Sequence, residues 1–400
     1  MTPEGWRKVG LPDVADLEMG ETLIAKDLTG DGLPVFSAGR DPKPWGYTSI
    51  SRKRFRFGTI VLGARGTIGY PRLPPFPEFV STQTTIAVSP RAALDPRYLR
   101  AALDRIDFDS ITAKQAVPML TIGALRDASL LVPPLGEQRK IAAILSSVDD
   151  AIEATQAVID QLQVVKKAMM AELLTRGLPG RHSCFKTTEI GLIPESWAVK
   201  LCGDVFDVQL GKMMSADARS GNNQLPYLRN ENVYWHELDL SEVSTMHFEA
   251  RELEKFRLRP GDLLACEGRH IGRCALWAGE LDECYYQKAL HRLRAKGPEI
   301  TTSYMQYFMM LRFRFMSDLV AEANTTSTIP HLPRERLLAL PVWFPPRAEQ
   351  DEIVDVLGAQ TDRERSEKHV LAQLQGLKAG LMSVLLTGEV RVKPDDEATA

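Results

Sequence analysis

The chain carries one long sequence pattern twice, and this duplication limits the possible folds more than any other feature. Residues 133–175 align without a gap onto residues 345–387, with identical residues at 16 of 43 positions. Both copies open with Pro-Pro, two residues and Glu-Gln, and both close with Leu-Leu-Thr. The segments between the copies are too long for a solenoid, whose repeats span about 20 to 50 residues. We therefore expect two large half-molecules in a pseudo-twofold arrangement, with two places of contact to a partner or ligand.

The segments between the long repeats also resemble each other, more weakly. Trp6 matches Trp197 at an offset of 191, and Gly69 matches Gly272 at an offset of 203, compared with 212 in the long repeats. The growing offset predicts insertions in loops of the second copy on a conserved framework. Such a pattern is typical of a scaffold that carries variable recognition loops.

Each long repeat predicts a helix. Proline is tolerated in a first helical turn, so the helices should begin near Pro134 and Pro346. In the first copy, apolar residues recur at alternating steps of four and three, interrupted by one threonine, as in a coiled coil. The residues of this seam are Ile141, Leu145, Val148, Ile152, Thr155, Ile159 and Leu162.

The second helix is expected to keep the seam only at its ends. The seam residues there are Ile353, Val356 and Leu357, then Val370, Leu374, Leu377, Leu381 and Val384. The middle, residues 360–369, is almost wholly polar, and we expect it to face solvent rather than a polar patch on another protein. Gly376 and Gly380 either weaken this helix or permit another helix to approach closely.

Composition is that of an ordinary globular protein. The chain has 400 residues, 44% of them hydrophobic, enough for two domains with their own cores. No apolar run approaches the ~18 residues of a membrane span, and no signal peptide is recognisable, so a cytoplasmic location is expected. The five cysteines lack metal-ligand spacing and are predicted to be buried thiols rather than a zinc site or disulfide.

Motifs for several chemistries are missing. Gly211-Lys212 is followed by Met213, which departs from a P-loop, and the two Pro-Pro strings lack the flanking residues of an amino-methyltransferase. Asp262 with Glu267-Gly268-Arg269 imitates a metal-dependent nuclease but lacks the lysine. We therefore predict no catalytic residues and no metal site.

Basic and amide side chains instead favour nucleic-acid binding, although the net charge is only −3. Arg and Asn can pair with guanine and adenine edges, and Lys can neutralise phosphates. If residues 52–56 form a strand, Arg52, Arg54 and Arg56 lie on one face. The alternative is that these clusters are merely solvated. The candidate DNA-binding residues are Arg40, Lys43, Arg52, Lys53, Arg54, Arg56 and Arg65 in the first half, and Arg229, Asn230, Asn232, Arg269, His270, Arg273 and Lys288 in the second.

The duplicated Pro-Pro-x-x-Glu-Gln helices, the Leu-Leu-Thr ends and the segment Thr188–Trp197 strongly resemble the specificity subunit of type I restriction-modification enzymes. The resemblance implies an α+β fold, with two mixed α/β target recognition domains separated by two long antiparallel coiled-coil helices. Glu137, Gln138, Glu349 and Gln350 then resemble structural residues of the helix starts. The implied segments are a first recognition domain (1–132), a first helical spacer and linker (133–180), a second recognition domain (181–344), a second helical spacer (345–389) and an acidic flexible tail (390–400).

The resemblance also implies a function. A specificity subunit is non-catalytic, and its two domains each read one half of a bipartite site in double-stranded DNA. Two modification subunits carry S-adenosylmethionine and methylate adenine, and restriction subunits use ATP and Mg²⁺, so no cofactor is expected on this chain. Two alternatives remain: a coiled-coil scaffold whose flanking domains bind proteins, and an assembly that methylates but has no restriction subunit.

Overall fold

A computed structural model of the protein describes residues 2–112, 118–188, 191–316 and 331–394. The chain forms two compact units: unit 1 comprises Met1–Ala157 with Lys368–Ala400, and unit 2 comprises Val158–Glu367. The end of the predicted acidic tail, residues 395–400, lies outside the described residues, as do Glu189 and Ile190 of the segment that carried the resemblance. The five-segment division of the sequence stays a prediction.

Two long helices dominate the helical content. The first long helix is Leu135–Arg176 and the second long helix is Arg347–Leu385, with 42 and 39 residues. Each begins directly after a Pro-Pro pair, which confirms the predicted starts near Pro134 and Pro346. Each helix contributes one part to unit 1 and the other part to unit 2.

The described residues of unit 1 form three small sheets. Two have four strands, in the orders β2-β9-β6-β7 and β4-β3-β8-β5, and β1 pairs with β10. The strands are β1 Arg7–Gly10, β2 Ala15–Met19, β3 Leu33–Phe36, β4 Gly46–Thr48, β5 Phe55–Arg56, β6 Ile60–Gly63, β7 Pro71–Arg72, β8 Glu78–Ser81, β9 Thr85–Pro90 and β10 Ser129–Val132. The short helices are Leu11–Val14, Pro96–Leu103, Phe108–Ile111 and Ile122–Arg126, with a 3-10 turn at Ala25–Asp27.

Unit 2 repeats this framework with additions. Its larger sheets have the orders β14-β22-β19-β20 and β18-β15-β21, and three strand pairs are β13-β23, β11-β12 and β16-β17. The strands are β11 Phe185–Thr188, β12 Gly191–Pro194, β13 Ala198–Leu201, β14 Phe206–Leu210, β15 Gln224–Leu228, β16 Val233–Tyr234, β17 Glu237–Leu238, β18 Ser244–His247, β19 Leu263–Cys266, β20 Cys274–Leu276, β21 Tyr285–Tyr286, β22 Leu290–Ala295 and β23 Pro341–Phe344. The short helices are Cys202–Val205, Ala216–Ser220, Ala250–Phe256, Thr302–Met310 and Arg334–Leu338, with a 3-10 turn at Asn230–Asn232 and a π-helical turn at Leu311–Phe315.

The strand pairing confirms two equivalent halves. The order β2-β9-β6-β7 corresponds strand for strand to β14-β22-β19-β20, and the parallel pair β3-β8 corresponds to β15-β21. The β16-β17 hairpin and the helix Ala250–Phe256 lie in the connection between β15 and β19 of unit 2, which is longer than the corresponding connection between β3 and β6 of unit 1. The predicted insertions in loops of the second copy are therefore confirmed.

In each unit, the core packs against the start of one long helix and the end of the other. In unit 1, Ile141 and Leu145 from the first long helix and Leu385 from the second belong to the domain core. In unit 2, Leu174 from the first helix and Ile353 from the second do the same. The contacting segments run antiparallel within each unit, because later residues of one helix meet earlier residues of the other.

The seam of the first long helix is confirmed. Ile141, Leu145, Val148, Ile159 and Leu162 are buried, and the two remaining seam residues are half-buried. The seam predicted for the second helix is only partly correct. Ile353 and Leu357 are fully buried, whereas Val356, Val370 and Leu377 are 39%, 41% and 51% exposed.

The polar middle of the second helix faces solvent at most of its residues but not at all of them, so that expectation is only partly correct. Glu364 is only 8% exposed. In unit 2 it accepts hydrogen bonds from Lys166 Nζ at 3.4 Å and from Gln163 Nε2 at 3.3 Å, both on the first helix. Gln360 donates to the carbonyl of Leu162 at 3.2 Å. The helix contact therefore continues through a layer of paired polar side chains.

A buried glutamine ties the start of each long helix to its domain. In unit 1, the Gln138 amide donates to the carbonyls of Ala93 and Pro133, and its oxygen accepts from the N–H of Asp95 at 2.8 Å. Asp95 is the N-cap of Pro96–Leu103. In unit 2, Gln350 makes the same three bonds, to Glu299, Pro345 and Thr301, and Thr301 is the N-cap of Thr302–Met310.

The glutamate before each glutamine receives the chain that leaves the other long helix. In unit 1, Glu137 forms a two-pronged ion pair with Arg391 at 2.8 and 2.9 Å and accepts from Trp6 Nε1 at 3.1 Å. Burial acts to raise the pKa of Glu137, but the hydrogen bonds from Arg391 and Trp6 outweigh it and the pKa is lowered. In unit 2, Glu349 lies 2.8 Å from His182 Nε2. These glutamates therefore connect the start of one long helix to the chain that follows the other long helix, rather than only capping their own helix.

Replacing Gly376 or Gly380 with alanine should raise the free energy of unfolding by about 0.5–1 kcal/mol each, since alanine loses less backbone entropy in a helix. Among the described residues no atom lies within 4 Å of a Cβ built at either glycine, so of the two alternatives the close helix approach is not found there. Chemical denaturation measures the change. Gly272→Ala is the opposing control: its φ is +71° and its Cβ would lie 2.3 Å from Phe313, so stability should fall. A loss of stability in the helix variants would contradict the assignment of an exposed helix face.

Gln350→Met should lower the free energy of unfolding by about 3 kcal/mol, because it removes three hydrogen bonds and leaves buried backbone groups unpaired. The matched control is Gln161→Met, an exposed glutamine on the first long helix. Denaturant unfolding of both variants tests the difference. Equal stability of the two would show that the Gln350 bonds contribute nothing net.

Candidate nucleic-acid interface

Two loops of unit 2 that are distant in sequence are joined by direct hydrogen bonds. We call residues 229–232 and 267–273 the loop pair of unit 2. The side-chain amide of Asn230 donates to the carbonyl of Gly268 at 3.0 Å. Arg273 Nη2 donates to the carbonyl of Asn230 at 2.8 Å. Two candidate segments from the sequence therefore form one surface.

Lys288 lies beside this loop pair. Its preceding neighbour, Gln287, donates its N–H to the carbonyl of Leu228 at 3.1 Å. Its following neighbour, Ala289, accepts from the N–H of Glu267 at 2.9 Å. Because these bonds reach one loop and the other, the structure places Lys288 next to both, with its side chain exposed.

The loop pair carries several basic side chains on a backbone that is held by hydrogen bonds. Arg269 is 74% exposed, with its guanidinium 3.4 Å from the carboxylate of Glu231. His270 is exposed, whereas Arg273 is half-buried with its guanidinium 4.7 Å from the ring centroid of Tyr234. Burial, together with the charges of Arg273 and Arg269, lowers the pKa of His270. At neutral pH the surface charge therefore comes mainly from Arg269 and Lys288.

Two predicted contact residues are not presented at the surface. Asn232 is 3% exposed; its amide donates to the carbonyls of Asp239 and Glu242, and its oxygen accepts from the N–H of Arg229. Asn230 is 9% exposed and holds Gly268. In this structure both amides bond to backbone groups of neighbouring segments, and so they brace the loop rather than offering themselves to adenine. Arg229 is half-buried, with Glu242 at 3.3 Å.

Unit 1 contains an equivalent loop pair, residues 37–45 and 64–70. Arg72 joins it, because its guanidinium donates to the carbonyls of Ser37 and Asp41. Arg40 is exposed and lies 5.9 Å from the ring centroid of Tyr70. Lys43 and Arg65 are also exposed on these loops. Sequence analysis missed Tyr70 and Arg72, and nothing in the charge pattern distinguishes either residue.

The basic run 52–56 is organised differently from the prediction. Only Phe55–Arg56 forms a strand, so Arg52 and Arg54 do not share a strand face with Arg56. The Glu21 carboxylate accepts from the Arg52 and Lys53 N–H groups, each at 3.1 Å, and fixes this segment as a loop. A hydrogen bond from Ser51, followed by these backbone bonds, lowers the pKa of Glu21 although burial opposes them.

The side chains of this run are partly engaged within unit 1. Lys53 is half-buried, and its ammonium contacts the carbonyl of Met19 and the carboxylate of Glu18, whereas Arg54 lies 3.6 Å from Glu78. Since β4 and β5 are opposite edges of one four-stranded sheet, the run is not brought together with the loop next to β4. DNA contact by any of these residues stays a prediction.

The described residues offer no site for a metal ion and no membrane span. Within the described ranges, no cluster of three or more His, Cys, Asp or Glu side chains is suited to hold a metal ion. The helices of the described residues include none with the length and apolar character needed to cross a lipid bilayer. The cysteines are free thiols; Cys184 is exposed and the other four are buried, as predicted for most of them.

NMR titration should give His270 a pKa below the ordinary 6.5, because its neutral form is favoured by burial and by two arginines. His270 therefore contributes stability above pH 6.5 that is lost as pH falls through its folded-state pKa. Arg269→Gly should raise the pKa of His270 by removing a positive charge, and Glu231→Gln should lower it by removing a negative one. A shift of the same sign in both variants would refute this electrostatic account.

Comparison with known proteins places these features in context. A family model described as the type I restriction modification DNA specificity domain matches residues 3–164 and 194–375. The type I restriction enzyme MjaVIII specificity subunit of Methanocaldococcus jannaschii is 28% identical over 290 residues, covering 71% of this chain and 67% of that protein. The EcoKI specificity subunit of Escherichia coli is 23% identical over 315 residues, covering 73% and 64%.

Solved structures show the same fold. The S subunit of a type I restriction-modification system from M. genitalium superposes with a TM-score of 0.63 at 16% identity, covering 96% of this chain and 99% of that one. A chain from a structural study of complex assembly in the type I system gives a TM-score of 0.56 at 17% identity, covering 98% and 100%. The predicted α+β fold with two recognition domains and two long helices is confirmed.

Proposed function

The chain belongs to the family of type I restriction modification DNA specificity domains, and from that premise we propose that it reads a bipartite DNA target, one half with each unit. It is the specificity subunit of a type I system, as its relatives are named. Within this role, unit 1 contacts one half-site through its loop pair and unit 2 contacts the other. The chain itself performs no chemistry on the DNA.

The observation that carries the proposal is the repeated loop pair. In unit 1 the hairpin β6–β7 lies beside the loop that follows β3. In unit 2 the hairpin β19–β20 lies beside the loop that follows β15. Both surfaces expose arginine or lysine side chains, while their residues differ: Gln83 stands in unit 1 where unit 2 has Lys288 in the corresponding turn. A shared frame with different exposed side chains suits two half-sites of different sequence.

The partners follow from the same premise. Two modification subunits would bind along the long helices and supply S-adenosylmethionine for adenine methylation. Restriction subunits would supply the ATP- and Mg²⁺-dependent steps, and an assembly without them would still methylate. No cofactor is assigned to this chain in this scheme. Its contribution is to place the modification subunits at the target.

Adenine-methylation mapping of genomic DNA tests the proposal. Cells that express the chain with its modification subunit should show one bipartite methylated motif that is missing when the chain is omitted. Exchanging residues 1–132 for those of a relative should change one half of the motif and leave the other half intact. The control is Arg257→Ala, a change at an exposed arginine of unit 2 outside its loop pair, which should leave both halves of the motif intact.

Two outcomes would refute the proposal. If the assembled complex forms but no motif appears, the chain acts as a scaffold whose domains bind proteins. If the exchange of residues 1–132 alters both halves of the motif, each half-site is not read by a separate unit. Size-exclusion chromatography of the complex distinguishes these results from failed assembly.

A further inference from the structure

The hairpins β6–β7 and β19–β20 share a pattern of positive φ angles, but at one position of this pattern one unit has glycine and the other has arginine. Three positions in each hairpin region have positive φ at a constant offset of 203, and the first and last of them are glycine in both units. At the middle position, unit 1 has Gly66 with φ 78°. Unit 2 has Arg269 with φ 62° at that place. Arginine therefore occupies a left-handed conformation that glycine occupies in the other unit.

The left-handed conformation disfavours arginine, because its Cβ crowds the following carbonyl. Glycine is compatible with this hairpin, as unit 1 demonstrates, so the hairpin itself does not require a side chain. A Cβ built at Gly66 meets no atom within 4 Å, so the position opens onto space. The arginine at 269 thus adds strain to unit 2 and does not fill a gap in its core.

A second non-glycine residue with positive φ provides the contrast. His236 has φ 61°, but its ring lies 4.4 Å from that of Tyr307 and its Nε2 is 3.0 Å from Met310 Sδ. Packing of the imidazole inside unit 2 offsets the strain at that residue. Arg269 is 74% exposed, and its described contact is an ion pair with the exposed Glu231. The reason for an arginine at 269 is therefore to be sought outside the folded unit.

The tip that carries Arg269 is held in place. The carbonyl of Gly268 accepts from Asn230, Gly268 forms a β-bridge with His331, and Arg273 anchors the hairpin to the carbonyl of Asn230. The Glu231 carboxylate lies on the guanidinium side. The hydrogen-bonded backbone and the neighbouring Glu231 carboxylate limit the orientations of the Arg269 side chain, as precise recognition requires.

We propose that Arg269 determines the sequence specificity of the second half-site by pairing with a guanine in the major groove. The inference rests on the proposed function and adds the residue and the base. A guanidinium donates two parallel hydrogen bonds to guanine O6 and N7, which no other base offers in that pattern. A phosphate contact needs no such orientation, and the adjacent Lys288 supplies a cation for it. The strained position at 269 is explained by directional reading.

Methylation mapping of the complex with its modification subunits tests this with Arg269→Gly and Arg269→Lys. Glycine should leave the first half-site and the spacer unchanged, while preference for one guanine in the second half-site falls at least ~5-fold, the low end for a bidentate pair. Lysine keeps the charge but loses the fork geometry, so the same position should become degenerate. The melting temperature of Arg269→Gly should be equal to or above that of the parent protein, since glycine relieves the strain.

Arg257→Ala is the matched control. Arg257 is also an exposed arginine of unit 2, but its φ is −67°. This variant should leave every base preference within twofold of the parent.

Three results overturn the inference. Unchanged preference in Arg269→Gly would remove Arg269 from base reading while the proposed function stands. Uniformly weaker methylation of all sequences would make it a phosphate contact. A parent complex without any motif would refute the proposed function itself, and the inference with it.

Discussion

The buried glutamine at the start of each long helix is the interaction on which both units depend. Gln138 and Gln350 each bond to three places: the chain before their own helix, the N-cap of a domain helix, and the backbone two residues before that N-cap. The preceding glutamates then receive the chain that has left the other long helix, through Arg391 in unit 1 and His182 in unit 2. Unit 1 therefore requires residues from both ends of the sequence, and each long helix is shared between the two units.

The duplication allowed much of this to be predicted. Pro-Pro followed by Glu-Gln located both helix starts, and the shifting offset located the loops in which unit 2 is longer. The polar middle of the second helix could not be predicted in the same way, since Glu364 is buried against Lys166 and Gln163, which lie opposite it on the other helix. One signal was present: Lys166 is identical to Lys378 in the repeat, and in unit 1 Lys378 Nζ lies 2.7 Å from Asp149. The two equivalent lysines thus each pair with a carboxylate of the other long helix, although the two carboxylates are not at equivalent positions of the repeat.

The candidate interface was predictable in composition and not in arrangement. Charge and residue type identified the segments around Arg229 and Arg269, but the bond from Asn230 to Gly268 spans 38 residues of sequence. It exists only because β15 and β19 belong to sheets that bring their ends together. The same folding removed Asn232 from the surface and divided the basic residues of unit 1 between separate loops. A local sequence pattern does not predict such contacts between residues that are distant in sequence.

Acidic partners of the arginines limit how strongly the loops attract DNA of any sequence. Glu231 and Glu242 lie beside Arg269 and Arg229, and the whole chain has a net charge of −3. Sequence-independent affinity grows with the number of phosphates neutralised, so partial cancellation of these cations lowers it. A base edge that offers two aligned acceptors can still compete for a guanidinium. Binding to the base breaks one exposed ion pair, and such a pair contributes little stabilisation. Keeping each arginine paired before binding thus favours discrimination between sequences over affinity for all of them.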